Sequence, residues 1–158
     1  VNHMKKQLLK AATILSVVAL TITSMVAPAA ADSSSAIRVN VPFDFTADHN
    51  VLPAGKYTIQ SGGVNLNGVI RITSDDGKAT VFLLSHSAQS IQSRNETVVI
   101  FHRYGDQYFL FQVWAVGDTI GSEIPRSSVE RQAEREVDNE KGQSASSAQP
   151  AEVVIAAR

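Results

Sequence analysis

The sequence predicts a mainly β protein, an antiparallel β-sandwich or small barrel of about seven strands, followed by a C-terminal α-helix and a disordered tail. Three observations carry that expectation. Residues 36–46 alternate apolar and polar side chains without a break, residues 97–116 read as one long hairpin with two apolar faces, and turn signals recur at short intervals between them. Helical signals enter only after Pro125.

In the first strand Ile37, Val39, Val41, Phe43 and Phe45 alternate with Arg38, Asn40, Pro42, Asp44 and Thr46, the period of a half-buried strand. Pro42 has no amide proton to give to a ladder, so this strand is expected at a sheet edge or with a bulge. The Leu52-Pro53-Ala54-Gly55 turn leads into a second strand through Tyr57 and Ile59. Ser61-Gly62-Gly63 interrupts it, Val69–Thr73 resumes with Ile70 and Ile72 on one face, and Asp75-Asp76-Gly77 makes the next turn. Val81–Leu84 is continuously apolar, which predicts a central strand covered on both faces. Ser85–Asn95 is a polar connection.

The hairpin is centred on Gly105-Asp106, a two-residue loop with Gly first, as a type II′ turn requires. The register then sets Tyr104 opposite Gln107, Arg103 opposite Tyr108, His102 opposite Phe109 and Phe101 opposite Leu110. One face collects Val98, Ile100, His102, Phe109, Phe111 and Val113, and the other Val99, Phe101, Leu110 and Trp114. With apolar residues on both faces, the hairpin is the expected centre of the fold. Ser127-Ser128-Val129-Glu130 has the spacing of a capping box, opening a helix to about Lys141. Its apolar stripe is only Val129, Ala133 and Val137, so a mostly solvated helix is expected. From Gly142 to Gln149 the composition is that of a flexible linker, and Val153-Val154-Ile155 is too short to anchor a tail.

The start of the chain reads as an export signal. Met4-Lys5-Lys6 opens a basic region, Ala11–Ala27 is uncharged and apolar, and Ala29-Ala30-Ala31 gives the small-x-small pattern that places cleavage between Ala31 and Asp32. The organisation that follows is a signal peptide at 1–31, a β-domain at 32–126, a charged helix at 127–141 and a flexible tail at 142–158. Without cysteine there is no acceptor thiol for a lipid anchor, and no stable membrane insertion is expected after cleavage. The expected compartment is periplasmic or extracellular.

Removal of Lys5, Lys6 and Lys10 with the signal leaves 11 of the 14 basic residues against 15 acidic ones. Such a surface gains little from phosphate neutralisation, so nucleic acid is not an expected partner. The lack of cysteine also excludes thiol redox chemistry, haem attachment and zinc–thiolate sites. No cofactor is called for.

Two segments, Val41-Pro42-Phe43-Asp44-Phe45 with Leu52-Pro53-Ala54-Gly55-Lys56-Tyr57, and Phe101–Leu110 with Val113-Trp114, resemble a group of small exported bacterial proteins of unknown function. The resemblance spans roughly residues 37–126 and implies export and a β-domain. It brings no activity, substrate or site residue.

Candidate sites therefore come from the residues alone. Arg103, Tyr104, Asp106 and Tyr108 cluster at the hairpin tip and offer a cation, a carboxylate and two aromatic rings to a glycan or peptide. Turn chemistry at Gly105-Asp106 and a cross-strand cation–π pair between Arg103 and Tyr108 account for the same residues without a ligand. His49, His86 and His102 have no metal-ligand spacing. Asp44 and Asp48, four strand residues and about 13 Å apart, are too far apart for a glycosidase pair unless the chain bends after Phe45.

The first functional reading is a non-catalytic β-domain that binds an envelope protein or glycan. In this reading the helix is a docking arm or spacer, and deletion of 127–158 leaves a folded domain with reduced partner binding. The second is a small hydrolase whose acid and base come from Asp44, Asp48, His102 or Asp106, and the third a small-ligand carrier with its pocket between the sheets.

Overall fold

The computed structural model describes residues 36–61, 68–140 and 150–158. The expected signal peptide, its cleavage residues Ala29, Ala31 and Asp32, and the linker composition at 142–149 lie outside the described residues. The elements are β1 (Ala36–Val41), β2 (Phe45–Ala47), β3 (Asn50–Leu52), β4 (Gly55–Ser61), β5 (Val69–Ser74), β6 (Thr80–Leu84), β7 (His86–Gln89), β8 (Thr97–Tyr104), β9 (Gln107–Trp114), β10 (Ile120–Glu123), α1 (Ser128–Glu140) and β11 (Ala151–Ala157).

The protein is mainly β, with one helix near the C-terminus. One antiparallel sheet runs in the order β1-β4-β5-β6; the other runs β11-β8-β9-β10-β7, with β2 and β3 attached. Neither closes into a barrel among the described residues. The expectation of a wholly antiparallel fold fails at one point, where β2 pairs with β9 in parallel through Thr46 and Phe109. The expectation of about seven strands also fails, because the alternation through residues 36–46 is broken after Val41. Pro42–Asp44 leaves the ladder, and Phe45 enters the other sheet as part of a second, short strand.

Alternation decides what each strand buries. Ile37, Val39 and Val41, Tyr57 and Ile59, Ile70 and Ile72, and Leu83 from the first sheet meet Phe45, Leu52, Val99, Phe101, Leu110 and Val113 from the second in one hydrophobic core. Aromatic residues of the β1–β2 and β8–β9 segments meet here. Phe45 makes edge contacts with both Tyr57 and Phe101, and Phe43 touches Phe101 and stacks on Tyr108 at 3.8 Å. Asp44 Oδ1 accepts the Ala54 N–H at 2.7 Å, and the Tyr57 hydroxyl donates to Pro53 O at 2.6 Å, fixing the Leu52–Gly55 turn. These residues hold the fold together.

The hairpin has the expected register from Tyr104–Gln107 to Phe101–Leu110, and Gly105 takes φ +58°. A bulge then sets Ile100 opposite Gln112, leaving Phe111 as the extra residue. One added residue reverses the facing of everything beyond it. Val113 turns into the shared core and Trp114 turns out to join Val98, Ile100 and Ala88, the opposite of the expected assignment.

Two other expectations are corrected. Val81–Leu84 is not central: β6 is the edge of its sheet, and Phe82 and Leu84 are 61% and 74% exposed. Val153–Ile155 is not a loose tail, because β11 pairs antiparallel with β8 along all seven of its residues and packs Val153, Ile155 and Ala157 against the core. Paired backbone bonds between Arg38 and Arg158, 2.6 and 2.8 Å, tie its end to β1 in the other sheet. The helix is mostly solvated, as its thin apolar stripe predicts, and docks by one narrow face. Ala133 is buried against Tyr104 and Phe109, with Val137 beside them. Both α1 and β11 are thus attached to the packed body.

Candidate functional site

The clearest concave feature with unspent polar groups lies between the free edge of β6 and the start of α1. Its volume is 390 Å³, and its walls are Phe82, Leu83 and Leu84, the segment Ile124–Ser128 with Arg131, and the β2–β3 turn at Asp48 and His49. Each wall has a local cause. Ile124 is buried and its N–H donates to Phe111 O at 2.8 Å, which pins the chain just before the helix. Ser127 caps the helix, its hydroxyl accepting the Glu130 N–H at 3.1 Å. The short β2–β3 ladder leaves Asp48 and His49 as a two-residue loop, and Asp48 adopts φ +58°.

Neighbouring side chains of an extended strand point to opposite faces, but the left-handed backbone at Asp48 brings its carboxylate onto the ring of the next residue. His49 Nδ1 lies 2.8 Å from Asp48 Oδ2, and His49 Nε2 lies 3.1 Å from Ser128 Oγ. With Nδ1–H donating to the carboxylate, Nε2 is left to accept from the serine hydroxyl. Arg131 also lines the groove and makes no ion pair among the described residues. Arg126 is engaged by Glu134 at 2.8 Å.

A second polar cluster sits under the helix. His102 Nδ1 and Glu130 Oε1 are 2.6 Å apart, and the Tyr104 hydroxyl donates to the same oxygen at 3.3 Å, all three side chains being buried. Burial, and next the Glu130 charge, push the Tyr104 phenol well above its ordinary range. Glu130 was expected to complete the capping box; instead its carboxylate turns down onto β8, and the His102 ring stacks on Phe111 at 3.8 Å. This cluster fastens α1 to the hairpin and leaves no open face.

The four hairpin-tip residues do not stay together. Tyr104 turns beneath the helix, whereas Arg103, Asp106 and Tyr108 share the other side. Arg103 Nη2 is 3.7 Å from Asp106, and its guanidinium lies 5.5 Å from the Tyr108 ring. The histidines are separated as well: His49 is in the β2–β3 turn, His86 in β7 and His102 under α1. Asp44, Asp48, His102 and Asp106 each bond a different neighbour and form no acid–base pair with one another. Sequence reasoning missed Ser128, Phe82 and Leu84. The adjacent Asp48-His49 was a visible signal, but nothing local tied it to a serine 79 positions away.

Two other hollows are less suited to a ligand. The cavity between the sheets beside Ile37, Ile59, Ile70 and Val113 holds 50 Å³, well below the ~300 Å³ at which small-molecule sites begin. A cleft of 630 Å³ lies between the Pro53–Tyr57 and Ser74–Ala79 turns, but its Asp76 is already held by the Ser74 hydroxyl at 2.7 Å and the Lys78 N–H at 3.1 Å. Those bonds, the serine's first, hold the Asp76 carboxyl down at about 2. Searches of family models, of curated proteins and of solved structures find no match to this chain.

Proposed function

We propose that this chain is an exported β-domain that binds an extended segment of an envelope protein along β6. One observation carries the reading: among the described residues β6 ends its sheet with an unpaired edge, and it shows Phe82 and Leu84 to solvent beside the groove. Natural sheets blunt bare edges with charge, proline or a covering element, and exposed apolar side chains on such an edge mark a docking surface. Strand addition supplies backbone hydrogen bonds to the unpaired edge and side-chain pockets at alternate positions. Charge complementarity favours a segment with an acidic residue, which would meet Arg131.

A glycan at the hairpin tip has less support. Tyr108 already spends its ring on Phe43 and Arg103, so no free aromatic face is evident there for a sugar. The test is a photo-crosslinking amino acid at position 82 in producing cells, with position 58 on β4 as a control in the same sheet. The reading expects one protein crosslinked at 82 through a contiguous segment, with capture lost in a Phe82→Lys, Leu84→Lys variant. Equal crosslinking at both positions would refute it.

A further inference from the structure

We infer that Ser128, His49 and Asp48 form an acyl-transfer site in this groove, with Ser128 as the nucleophile and a carboxylic ester as the substrate. The nucleophile stands on its own geometry; that its substrate lies extended along β6 rests on the reading above. The observation is the continuous chain from Asp48 Oδ2 to His49 Nδ1 at 2.8 Å and from His49 Nε2 to Ser128 Oγ at 3.1 Å. A carboxylate orienting an imidazole that in turn accepts from a serine hydroxyl is the arrangement that activates serine, and it is recognised by geometry and not by sequence order.

Three features turn that chain into a site. All three residues line the same 390 Å³ groove, so the hydroxyl is accessible to a substrate. Asp48 is the one described non-glycine residue with a positive φ, and that backbone is what seats its carboxylate beside the imidazole. Ser128 opens α1, so its own N–H and that of Val129 lack intrahelical acceptors at the positive end of the helix, where a developing oxyanion is stabilised. Arg131 adds a cation to the same wall.

The chemistry balances without a cofactor. The Ser128 oxygen attacks the ester carbonyl while His49 Nε2 takes the hydroxyl proton. The tetrahedral oxyanion collapses, the C–O bond to the alcohol breaks, and His49 gives that proton to the departing alkoxide. Water then attacks the acyl-serine with His49 as base, releasing the carboxylic acid and restoring the hydroxyl. Asp48 holds Nδ1–H throughout, and β6 offers its free edge to an extended substrate.

The experiment is labelling of the full chain with a fluorophosphonate probe, with mass spectrometry to locate the adduct, alongside hydrolysis of p-nitrophenyl acetate. The expected result is an adduct on Ser128 that is absent in Ser128→Ala and forms about a hundredfold more slowly in His49→Gln. Asp48→Asn, which tolerates the same backbone, should slow it by at least about tenfold through loss of the imidazole's orientation. Ester hydrolysis should fall with labelling across the series. These side chains are exposed, so circular dichroism should show each variant folded. No adduct on Ser128, or an adduct rate unchanged in His49→Gln, overturns the inference. Crosslinking at position 82 without an adduct leaves the binding reading standing alone, and an adduct without that crosslink does the reverse.

Discussion

Two strands, β8 and β6, differ in what lies along their outer side. The second sheet covers β8 with β11, a strand drawn from the far end of the chain, whereas the first sheet leaves β6 bare with Phe82 and Leu84 in water. Their sequences suggest the reverse. Thr80-Val81-Phe82-Leu83-Leu84 looks like the interior, and Ala151–Ala157 looks like a tail. An apolar edge left open risks aggregation, and a partner along β6 is what the proposed function supplies. A strand of three alanines, a glutamate and three larger aliphatic residues gains its place from a seven-residue ladder and from Val153 and Ile155 on the core.

The sharpest way to break this comparison is to remove the covering strand. A chain ending at residue 149 should lose about 2–4 kcal/mol from the two half-buried aliphatic side chains alone, together with the β8 ladder and the Arg38–Arg158 link between the sheets. Given typical domain stabilities of ~5–15 kcal/mol, a large unfolded fraction is expected. Urea unfolding followed by Trp114 fluorescence is the measurement, and an unchanged midpoint would show β11 to be dispensable.

Next in size is the fastening of α1. Glu130→Ala leaves His102 and Tyr104 buried without their shared partner, and each buried polar group left unsatisfied costs ~1–3 kcal/mol. The triple variant Glu130→Leu, His102→Phe, Tyr104→Phe should recover most of that loss, because apolar replacement of all three partners removes the desolvation cost as well. Recovery in the triple variant separates a polar fastening from simple packing. A smaller effect is expected at Gly121, where an added Cβ would lie 2.5 Å from the Trp114 ring. Gly121→Ala should cost ~1–3 kcal/mol by overpacking and alter Trp114 emission.

The hairpin was legible where physics is local. Gly105-Asp106 set the turn, and four facing pairs follow from it by counting, until Phe111 adds one residue and exchanges Val113 with Trp114. Nothing local announces that bulge. The Ser127 cap was legible for the same reason, whereas the route of the Glu130 carboxylate to His102, 28 positions away, depended on how the helix docks. Of the candidate site, only the Asp48-His49 pair was visible. The approach of Ser128 to it, and the open side of β6, are consequences of topology.

Alkaline titration tests the docked helix without altering it. The folded-state pKa of Tyr104 lies above the ordinary phenol value of 10.0, so folding favours the protonated form. That stability is fully present below the unfolded-state pKa and is lost as pH rises through and beyond it. Stability should therefore fall above about pH 10, and Tyr104→Phe should flatten the decline. Absorbance near 295 nm should show a late-ionising phenol that the variant lacks. A decline of equal slope in both proteins would place the alkaline sensitivity elsewhere.

The smallest stability effect belongs to the bare edge, and its smallness is what sharpens the comparison. Phe82→Lys and Leu84→Lys replace side chains already 61% and 74% exposed, so each should move stability by no more than about 0.5 kcal/mol. Lysine also blunts an edge strand and should reduce self-association at high concentration. Truncating β11 and changing β6 would then separate two kinds of edge: one whose cover the fold needs, and one whose apolar face contributes nothing to folding. A loss of several kcal/mol at Phe82 would mean that this face supports the folded chain itself, and the case for β6 as a docking edge would fall with it.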